Sequence, residues 1–222
     1  MIVDVWLGEF HEWNSANDRF LSEEELARAD SSTSSDECRR FKVGALLLRL
    51  VVAVNSGEDP SRVVVKRSCP TCGGAHGKPR VAGSALNISL SHSRPFIALA
   101  SSADSAVGVD IEQPPIPHFR QISHRVCNAS EPVETAFDFL TYWCRKEAAV
   151  KATGDGIGIG LRRVVVSPSR ADAEVLAYPG GNRIALKDLS TDGELFGAVA
   201  VLDASDFQLR MRNANRLLHN CH

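Results

Sequence analysis

Two carboxylates lie two residues apart in the segment AVGVDIE, residues 106–112. The segment alternates as a β-strand does, so Asp110 and Glu112 point to one face while Val109 and Ile111 point to the other face and into a core. Two carboxylates side by side repel each other, and a hard divalent cation removes that repulsion. Mg²⁺ is usually held by one or two carboxylates together with substrate phosphates. The pair therefore indicates a metal site, and the alternative is a solvated strand end with two ordinary acids.

The segment YWCRKEAAVKATGDG, residues 142–156, predicts the end of a helix that stops at Gly154. Trp143, Glu147 and Lys151 lie one above another on such a helix, and Lys146 is next to them; we call these four residues the charged stripe. A separate apolar stripe is the predicted core face, formed by Phe137, Leu140, Cys144, Ala148 and Ala152. The charged stripe offers a third carboxylate for a metal, two cations for phosphate and an apolar wall. The alternative is a solvated surface with a Glu147–Lys151 pair worth about 0.3–0.5 kcal/mol, which leaves the tryptophan unexplained.

Polar residues that could contact a ligand also occur in the segment NISLSHS, residues 87–93. Three serines alternate there with Ile88 and Leu90, and His92 stands beside them. The segment HGKP places Lys78 in a tight turn. A structural histidine and an ordinary surface lysine are the alternatives for these two residues.

The elements that must position these residues recur along the chain. An alternating first strand, VDVWLGEF, precedes a short helix that Ser22 caps, and two long helices are predicted over residues 36–54 and 132–153. The sequence Arg-Val-Val-Val occurs at 62 and again at 163, which is 101 residues later. Phe96-Ile-Ala-Leu-Ala is echoed by Phe196-Gly-Ala-Val-Ala, 100 residues later. The common offset favours duplication over coincidence, although the two halves share little sequence identity.

We therefore predict an α+β fold of two pseudo-symmetric halves, each with a long helix packed on an antiparallel sheet. The predicted boundaries are 1–103 for the N-terminal half, 104–210 for the C-terminal half and 211–222 for a tail. A cleft between two such halves is a natural ligand site.

Bulk composition excludes several classes of protein. The net charge of −2 does not favour binding to nucleic acid, and the longest apolar runs are too short to span a bilayer. The N-terminus has acids and no basic start, so a secretory signal is not expected. Six scattered cysteines suggest reduced thiols in the cytoplasm. Within CPTCGGAH, Cys69, Cys72 and His76 could bind zinc, but a fourth ligand is not obvious, so a zinc-binding module is an alternative and a plain turn is expected.

The segments NISLSHS, AVGVDIE and WCRKEAAVKATGDGIGIGL, in this order and spacing, resemble the 4′-phosphopantetheinyl transferase superfamily. They are most similar to its Sfp-type branch, in which one monomer contains two fused halves. The resemblance covers roughly residues 21–202, and the W-x-x-K-E-A-x-x-K helix preceded by G-V-D-I-E is its specific part. It implies an enzyme that moves the phosphopantetheine arm of coenzyme A to a serine of an apo acyl or peptidyl carrier protein and releases 3′,5′-ADP.

The resemblance also implies residue roles. Asp110, Glu112 and Glu147 match the acids that hold Mg²⁺ on the coenzyme A diphosphate, and Lys151 matches a lysine that stabilises the leaving group. Glu147 is the expected base for the serine hydroxyl, with Glu131 as the other candidate. The residues matching coenzyme A contacts are Arg40, Lys78, Ser91, His92, Lys146 and Lys151.

One segment departs from the family pattern. Relatives often carry basic residues in the loop before the first long helix, whereas this chain has acids and serines over residues 31–37. This departure is therefore expected to affect the affinity for the nucleotide rather than the chemistry. A non-catalytic protein that binds coenzyme A or a nucleotide is an alternative function, but it would predict a missing metal acid, and all three are present. The sequence does not identify the carrier, which could serve polyketide, nonribosomal peptide or fatty-acid synthesis.

Overall fold

The computed structural model describes residues 1–10, 13–68, 73–74, 77–189 and 194–219. Its helices are α1 (Glu23–Asp30), α2 (Ser35–Ser56), α3 (Phe119–Val126), α4 (Ala136–Thr153) and α5 (Ala214–His219). Its strands are β1 (Ile2–Glu9), β2 (Val65–Arg67), β3 (Pro79–Val81), β4 (Asn87–Ser93), β5 (Phe96–Ser102), β6 (Val107–Glu112), β7 (Val165–Val166), β8 (Val175–Ala177), β9 (Ile184–Asp188), β10 (Phe196–Leu202) and β11 (Gln208–Asn213). Short 3-10 turns cover Ser15–Phe20, Pro60–Arg62, Ile157–Ile159 and Leu161–Arg163.

The first half of the chain places helix α2 on a sheet whose strand order is β11-β1-β5-β4. Strands β1, β5 and β4 are antiparallel neighbours. Ser22 caps α1 through a capping box with Glu25, as the sequence predicts. Helix α2 begins with the N-cap Ser34, so residues 35–37 of the predicted polar loop belong to the helix. The helix ends at Gly57, whose φ of 75° is a conformation that glycine adopts readily.

The second half places helix α4 on an antiparallel sheet with the order β6-β10-β9. Thr135 and Asp138 form a capping box, so α4 begins at Ala136 rather than at the predicted residue 132. The helix stops at Gly154, which has a φ of 85°, as the sequence predicts.

The two sheets share an apolar core. Val109 and Ile111 of β6 are fully buried there, with Val3 and Val5 of β1 and Val199 of β10. Each long helix has a further core of its own on the outer side of its sheet. The α+β fold with a long helix on a sheet in each half is therefore confirmed.

The pseudo-repeat also has a structural counterpart. Arg62 and Arg163 each end a 3-10 turn, and a short strand follows each turn. Strands β5 and β10, which contain the two Phe-x-Ala-x-Ala segments, are central in their sheets. The boundary near residue 103 remains a prediction.

The predicted tail differs from the structure. Strand β11 pairs in parallel with β1, with Leu209 beside Val3 and Met211 beside Val5. Helix α5 then packs on β1 and α2. The end of the chain therefore returns to the first half, and residues 208–219 are part of its sheet and core.

Two side chains of α4 also differ from the predicted helix faces. Phe137, expected in the core, is 41% exposed, and Lys146, expected on the charged stripe, is completely buried. The helix is covered on more than one side, because residues of α3 and of the segment 161–166 pack on it as well as the sheet. No helix in the described ranges is long and apolar enough to cross a membrane.

Candidate active site

Helix α4 lies directly on strand β6, and Gly108 makes this possible. A Cβ atom at Gly108 would fall 2.0 Å from the carbonyl oxygen of Ala148 and 2.5 Å from the backbone nitrogen of Ala152. Any larger residue would push the helix away from the strand. The close approach brings the last turns of α4, which carry Glu147 and Lys151, over the face of β6 that carries Asp110.

Asp110 is the centre of a polar cluster that joins the two halves. Its Oδ1 atom accepts hydrogen bonds from Ser91 Oγ at 2.8 Å and from Lys151 Nζ at 2.7 Å. Lys151 also donates to Ser91 Oγ at 3.1 Å. The aspartate comes from the second half and the serine from the first, so the predicted site lies where the halves meet. Asp110 is 4% exposed, which makes this ion pair stronger than one on the surface.

Glu112 lies one step along the strand from Asp110, on the same face. Its Oε2 atom accepts a hydrogen bond of 2.9 Å from Ser93 Oγ, and the side chain of Trp143 lies beside the same carboxyl. Trp143 is half-buried and packs beside Phe139. The tryptophan of the charged stripe therefore contacts a carboxyl as well as providing an apolar wall.

Three serines of β4 bond to the free edge of β6; we call Ser89, Ser91 and Ser93 the serine row. Their hydroxyl oxygens accept from the backbone N–H groups of residues 109, 111 and 113, at 3.1, 3.3 and 2.9 Å. Side chains of one strand thus replace the backbone partners that a neighbouring strand would supply. The two halves are held in register along this row.

The three predicted metal acids repel one another. Burial and the charge of Asp110 raise the pKa of Glu147 to about 7, although Lys151 acts in the opposite direction. Burial and Asp110 also raise the pKa of Glu112. A carboxyl whose pKa lies near 7 can take or release a proton at neutral pH. A bound cation would favour the ionised forms of all three.

The donor set fits a hard divalent cation. Asp110 Oδ2 and Glu147 Oε1 are both buried, and neither has a hydrogen-bond partner among the described residues. Orphaned buried carboxylate oxygens are costly unless something binds them. In the described ranges, however, no three histidine, cysteine or carboxylate groups converge as a ready-made metal cluster. The ammonium of Lys151 is the cation that Asp110 contacts.

Lys78, a predicted nucleotide contact, bonds to two backbone carbonyl oxygens beside the site. Its Nζ atom donates to the carbonyl oxygens of Val107 at 2.9 Å and Ala152 at 3.0 Å. Burial and the nearby Arg80 lower its pKa to about 8. Lys78 therefore ties the start of β6 to the end of α4, next to the site.

Arg40 and His92, which are both predicted coenzyme A contacts, lie near each other. His92 is open to water on part of its surface, but burial of the rest of the side chain lowers its pKa. The positive charges of Arg40 and Lys151 lower this pKa further. Arg40 is paired with acids of its own helix, Asp36 at 3.6 Å and Glu37 at 4.0 Å. The acidic segment before and within the start of α2 thus competes for the arginine that was expected to contact coenzyme A.

Lys146 and Glu131 bond to each other rather than to the other predicted site residues, and their roles in phosphate binding and proton transfer stay predictions. Lys146 is fully buried and donates to Glu131 Oε2 at 2.5 Å and to two carbonyl oxygens, Val126 at 2.8 Å and Leu161 at 3.2 Å. Glu131 also accepts from the backbone nitrogens of Asn128 and Val166. The pair is a buried salt bridge that links α4 to the segments around residues 126–131 and 161–166.

Sequence reasoning named Ser93 among the alternating serines but gave it no role in the site, and it missed Gly108. The signal for Ser93 was the same alternation that pointed to Ser91, since every second residue of NISLSHS from Ser89 onward faces β6. Gly108 carried no signal beyond being a glycine inside a strand. The possible zinc ligands Cys69, Cys72 and His76 lie outside the described residues.

Comparison with known proteins gives a consistent result. Residues 106–193 match the model of the 4′-phosphopantetheinyl transferase superfamily. The 4′-phosphopantetheinyl transferase HetI of Nostoc sp. is 33% identical over 195 residues, which are 82% of this chain and 78% of the relative. The putative 4′-phosphopantetheinyl transferase slr0495 of Synechocystis sp. is 26% identical over 172 residues, 72% of this chain and 68% of that protein. The human L-aminoadipate-semialdehyde dehydrogenase-phosphopantetheinyl transferase is 27% identical over 181 residues, and the matched part is 72% of this chain and 56% of the human protein.

Proposed function

The chain belongs to the 4′-phosphopantetheinyl transferase superfamily, and we propose that it moves the phosphopantetheine arm of coenzyme A to a serine hydroxyl of an apo carrier protein with release of 3′,5′-ADP. The reaction breaks the diphosphate bond of coenzyme A and forms a phosphodiester on the carrier. The serine loses a proton, and 3′,5′-ADP leaves with the negative charge.

The observation that carries this proposal is the ion pair of Asp110 and Lys151 where the halves join, with Glu112 and Glu147 on the same strand and helix. Asp110 and Glu112 come from β6, and Glu147 and Lys151 come from α4. Ser91 from the first half bonds to both Asp110 and Lys151. A substrate with several phosphates and one reactive diphosphate would suit such a mixed set of carboxylates and a cation.

We propose Mg²⁺ as the cofactor, held by Asp110, Glu112 and Glu147. When bound, it would neutralise negative charge on the diphosphate and its leaving group. The two orphaned buried oxygens, Asp110 Oδ2 and Glu147 Oε1, support this choice. The hard oxygen donors favour Mg²⁺ over a softer metal.

Lys151 is proposed to stabilise charge on the leaving phosphate. Its side chain is 30% exposed and its bonds reach across to the first half, so Lys151 is partly open to water rather than enclosed in the core. A cation already fixed by Asp110 and Ser91 needs little reorganisation when negative charge develops beside it.

Glu147 is the proposed base. As a proposed metal ligand, Glu147 would lie next to a serine hydroxyl that approaches the cation, and an ionised carboxylate there can accept the proton. Glu131 is a poor candidate, because both of its oxygens are used and Lys146 neutralises it.

The partner and setting are also proposals. We propose an acyl or peptidyl carrier protein as the acceptor, of the kind used in polyketide, nonribosomal peptide or fatty-acid synthesis. We further propose that the protein acts in the cytoplasm as a monomer with both halves of the site in one chain. Three cysteines in the described ranges, Cys38, Cys127 and Cys144, are free, which agrees with a reducing compartment.

The test is to incubate the protein with coenzyme A, Mg²⁺ and a panel of apo carriers, and to follow carrier mass and nucleotide products. We expect one carrier to become heavier by one phosphopantetheine arm with release of an equal amount of 3′,5′-ADP. EDTA should stop the reaction, and a carrier with alanine at its acceptor serine should stay unmodified. Consumption of coenzyme A at the same rate without a carrier would identify a hydrolase. Binding of coenzyme A with no transfer to any carrier would instead support a non-catalytic binding protein.

A further inference from the structure

We propose that Ser93 is a positioning residue that holds the carboxylate of Glu112 in the orientation needed to bind the divalent cation. This inference rests on the metal site of the proposed function, and it adds a residue that neither the family resemblance nor the sequence motif assigned a role.

The hydroxyl of Ser93 makes two bonds to consecutive residues of the same strand. It accepts from the backbone nitrogen of Gln113 at 2.9 Å and donates to Glu112 Oε2 at 2.9 Å. A serine hydroxyl has one proton to donate and lone pairs to accept with, so it can make both bonds at once. Because the first bond fixes the hydroxyl relative to the backbone next to Glu112, the second fixes the carboxylate relative to its own strand.

Glu112 needs such a constraint because the charge of Asp110 repels its carboxylate. Asp110 lies on the same face of β6, so the two negatively charged carboxylates repel each other. Glu112 is also only half-buried, so its side chain could turn toward water. Ser93 and Trp143 together keep the carboxylate over the site.

The serine row provides matched comparisons within one strand. Ser91 makes the same pair of bonds, to the backbone nitrogen of Ile111 and to Asp110, but it also contacts Lys151 and is therefore part of the site itself. Within the described part of the chain, Ser89 makes only the backbone bond, to the nitrogen of Val109. The residue before Val109 is Gly108, which has no carboxylate to hold. Ser89→Ala therefore removes one hydrogen bond, from the backbone nitrogen of Val109. Ser93→Ala removes the corresponding bond from the nitrogen of Gln113 and also the bond to the carboxylate of Glu112.

The experiment is a Mn²⁺ titration of the full-length protein, followed by electron paramagnetic resonance, with saturating coenzyme A and no carrier. Binding by coenzyme A alone is subtracted. Loss of a residue that orients a metal ligand typically weakens metal binding by 10- to 100-fold, and we expect about tenfold for Ser93→Ala because Trp143 still contacts Glu112. We expect Ser89→Ala to stay within about twofold of the wild type, since the carboxylates are unaffected. Ser93→Thr, which keeps the hydroxyl, should restore most of the affinity.

Thermal unfolding of the same variants separates positioning from stability. Ser89 is more buried than Ser93, so Ser89→Ala should lower the unfolding midpoint at least as much as Ser93→Ala. Equal Mn²⁺ affinity for Ser93→Ala and Ser89→Ala, or a folded Ser93→Thr that binds as weakly as Ser93→Ala, would overturn the inference. If the wild type binds no Mn²⁺ beyond coenzyme A alone, the metal site of the proposed function fails and this inference fails with it. Wild-type binding that Ser93→Ala leaves unchanged overturns the role of Ser93 only.

Discussion

Replacing Lys146 with methionine distinguishes a core lysine from a phosphate-binding one. The side chain is fully buried and bonded to Glu131 and to two carbonyl oxygens. Methionine has a similar length but no charge, so Lys146→Met leaves Glu131 as a buried carboxylate without its counter-charge. Breaking a buried pair by removing one partner costs about 3–5 kcal/mol. That is a large part of the roughly 5–15 kcal/mol by which domains are stable.

The assay is equilibrium unfolding in urea, with the double variant Lys146→Met/Glu131→Gln included. The double variant should lose about 2 kcal/mol less than the sum of the two single variants, because the pair is lost only once. The matched control is Lys151→Met, which removes a partly exposed lysine from the same helix. We expect it to lower stability by less than Lys146→Met does, because Lys151 is 30% exposed and water can partly replace it beside Asp110, and we expect it to abolish transfer.

The opposite pattern would refute this interpretation of α4. If Lys146→Met unfolds with less than about 1 kcal/mol lost while the KM for coenzyme A rises about tenfold, Lys146 contacts the substrate. The burial of its side chain would then not describe the active protein.

Three further predictions concern the site. Burial and Asp110 raise the pKa of Glu147 from 4.5 to about 7 in the folded state, so the wild-type protein loses stability as pH rises through that range. In urea unfolding with EDTA, Glu147→Gln should therefore be more stable than the wild type by at most about 3 kcal/mol above pH 7. Below pH 4.5 the two proteins should be equally stable. Gly108→Ala should cost at least about 2 kcal/mol and lower kcat, because its Cβ meets the backbone of Ala148; unchanged kcat would mean that α4 need not lie so close. Asp36→Asn should release Arg40 and lower the KM for coenzyme A by up to about fivefold in steady-state kinetics, and a raised KM would contradict this.

Local patterns in the sequence predicted the elements that depend on local physics. Ser22 and Gly154 mark helix ends because a cap needs only its own neighbours. The alternation of AVGVDIE placed Asp110 and Glu112 on one face, since a strand has a period of two. This alternation placed both carboxylates on the face of β6 that α4 covers.

The position of Lys146 could not be read from a helical wheel. The wheel places it near Glu147 and Lys151, but whether a face is open depends on segments far away in sequence. The carbonyl oxygens of Val126 and Leu161, and the carboxylate of Glu131, close over that side of α4. A lysine and a glutamate 15 residues apart gave no pattern that links them.

Strand β11 was missed for a different reason. Its sequence, QLRMRN, is mostly exposed and polar, because one edge and one face of the strand are open to water. Its pairing with β1 joins residues about 206 positions apart, such as Arg210 and Asp4. Neither composition nor periodicity reports a contact over that distance. The arginines that pair with Asp4 become meaningful only once the sheet is known.

The most direct test of the proposed function is the mass of an apo carrier after incubation with coenzyme A and Mg²⁺ and either the wild-type protein or Asp110→Ala. Asp110 joins Lys151, Ser91 and the proposed cation, so its loss should remove the centre of the site. We predict that the wild type adds one phosphopantetheine arm and that Asp110→Ala, shown to be folded by circular dichroism, adds none. A carrier that Asp110→Ala modifies at nearly the wild-type rate would contradict the proposal that this cluster performs the transfer.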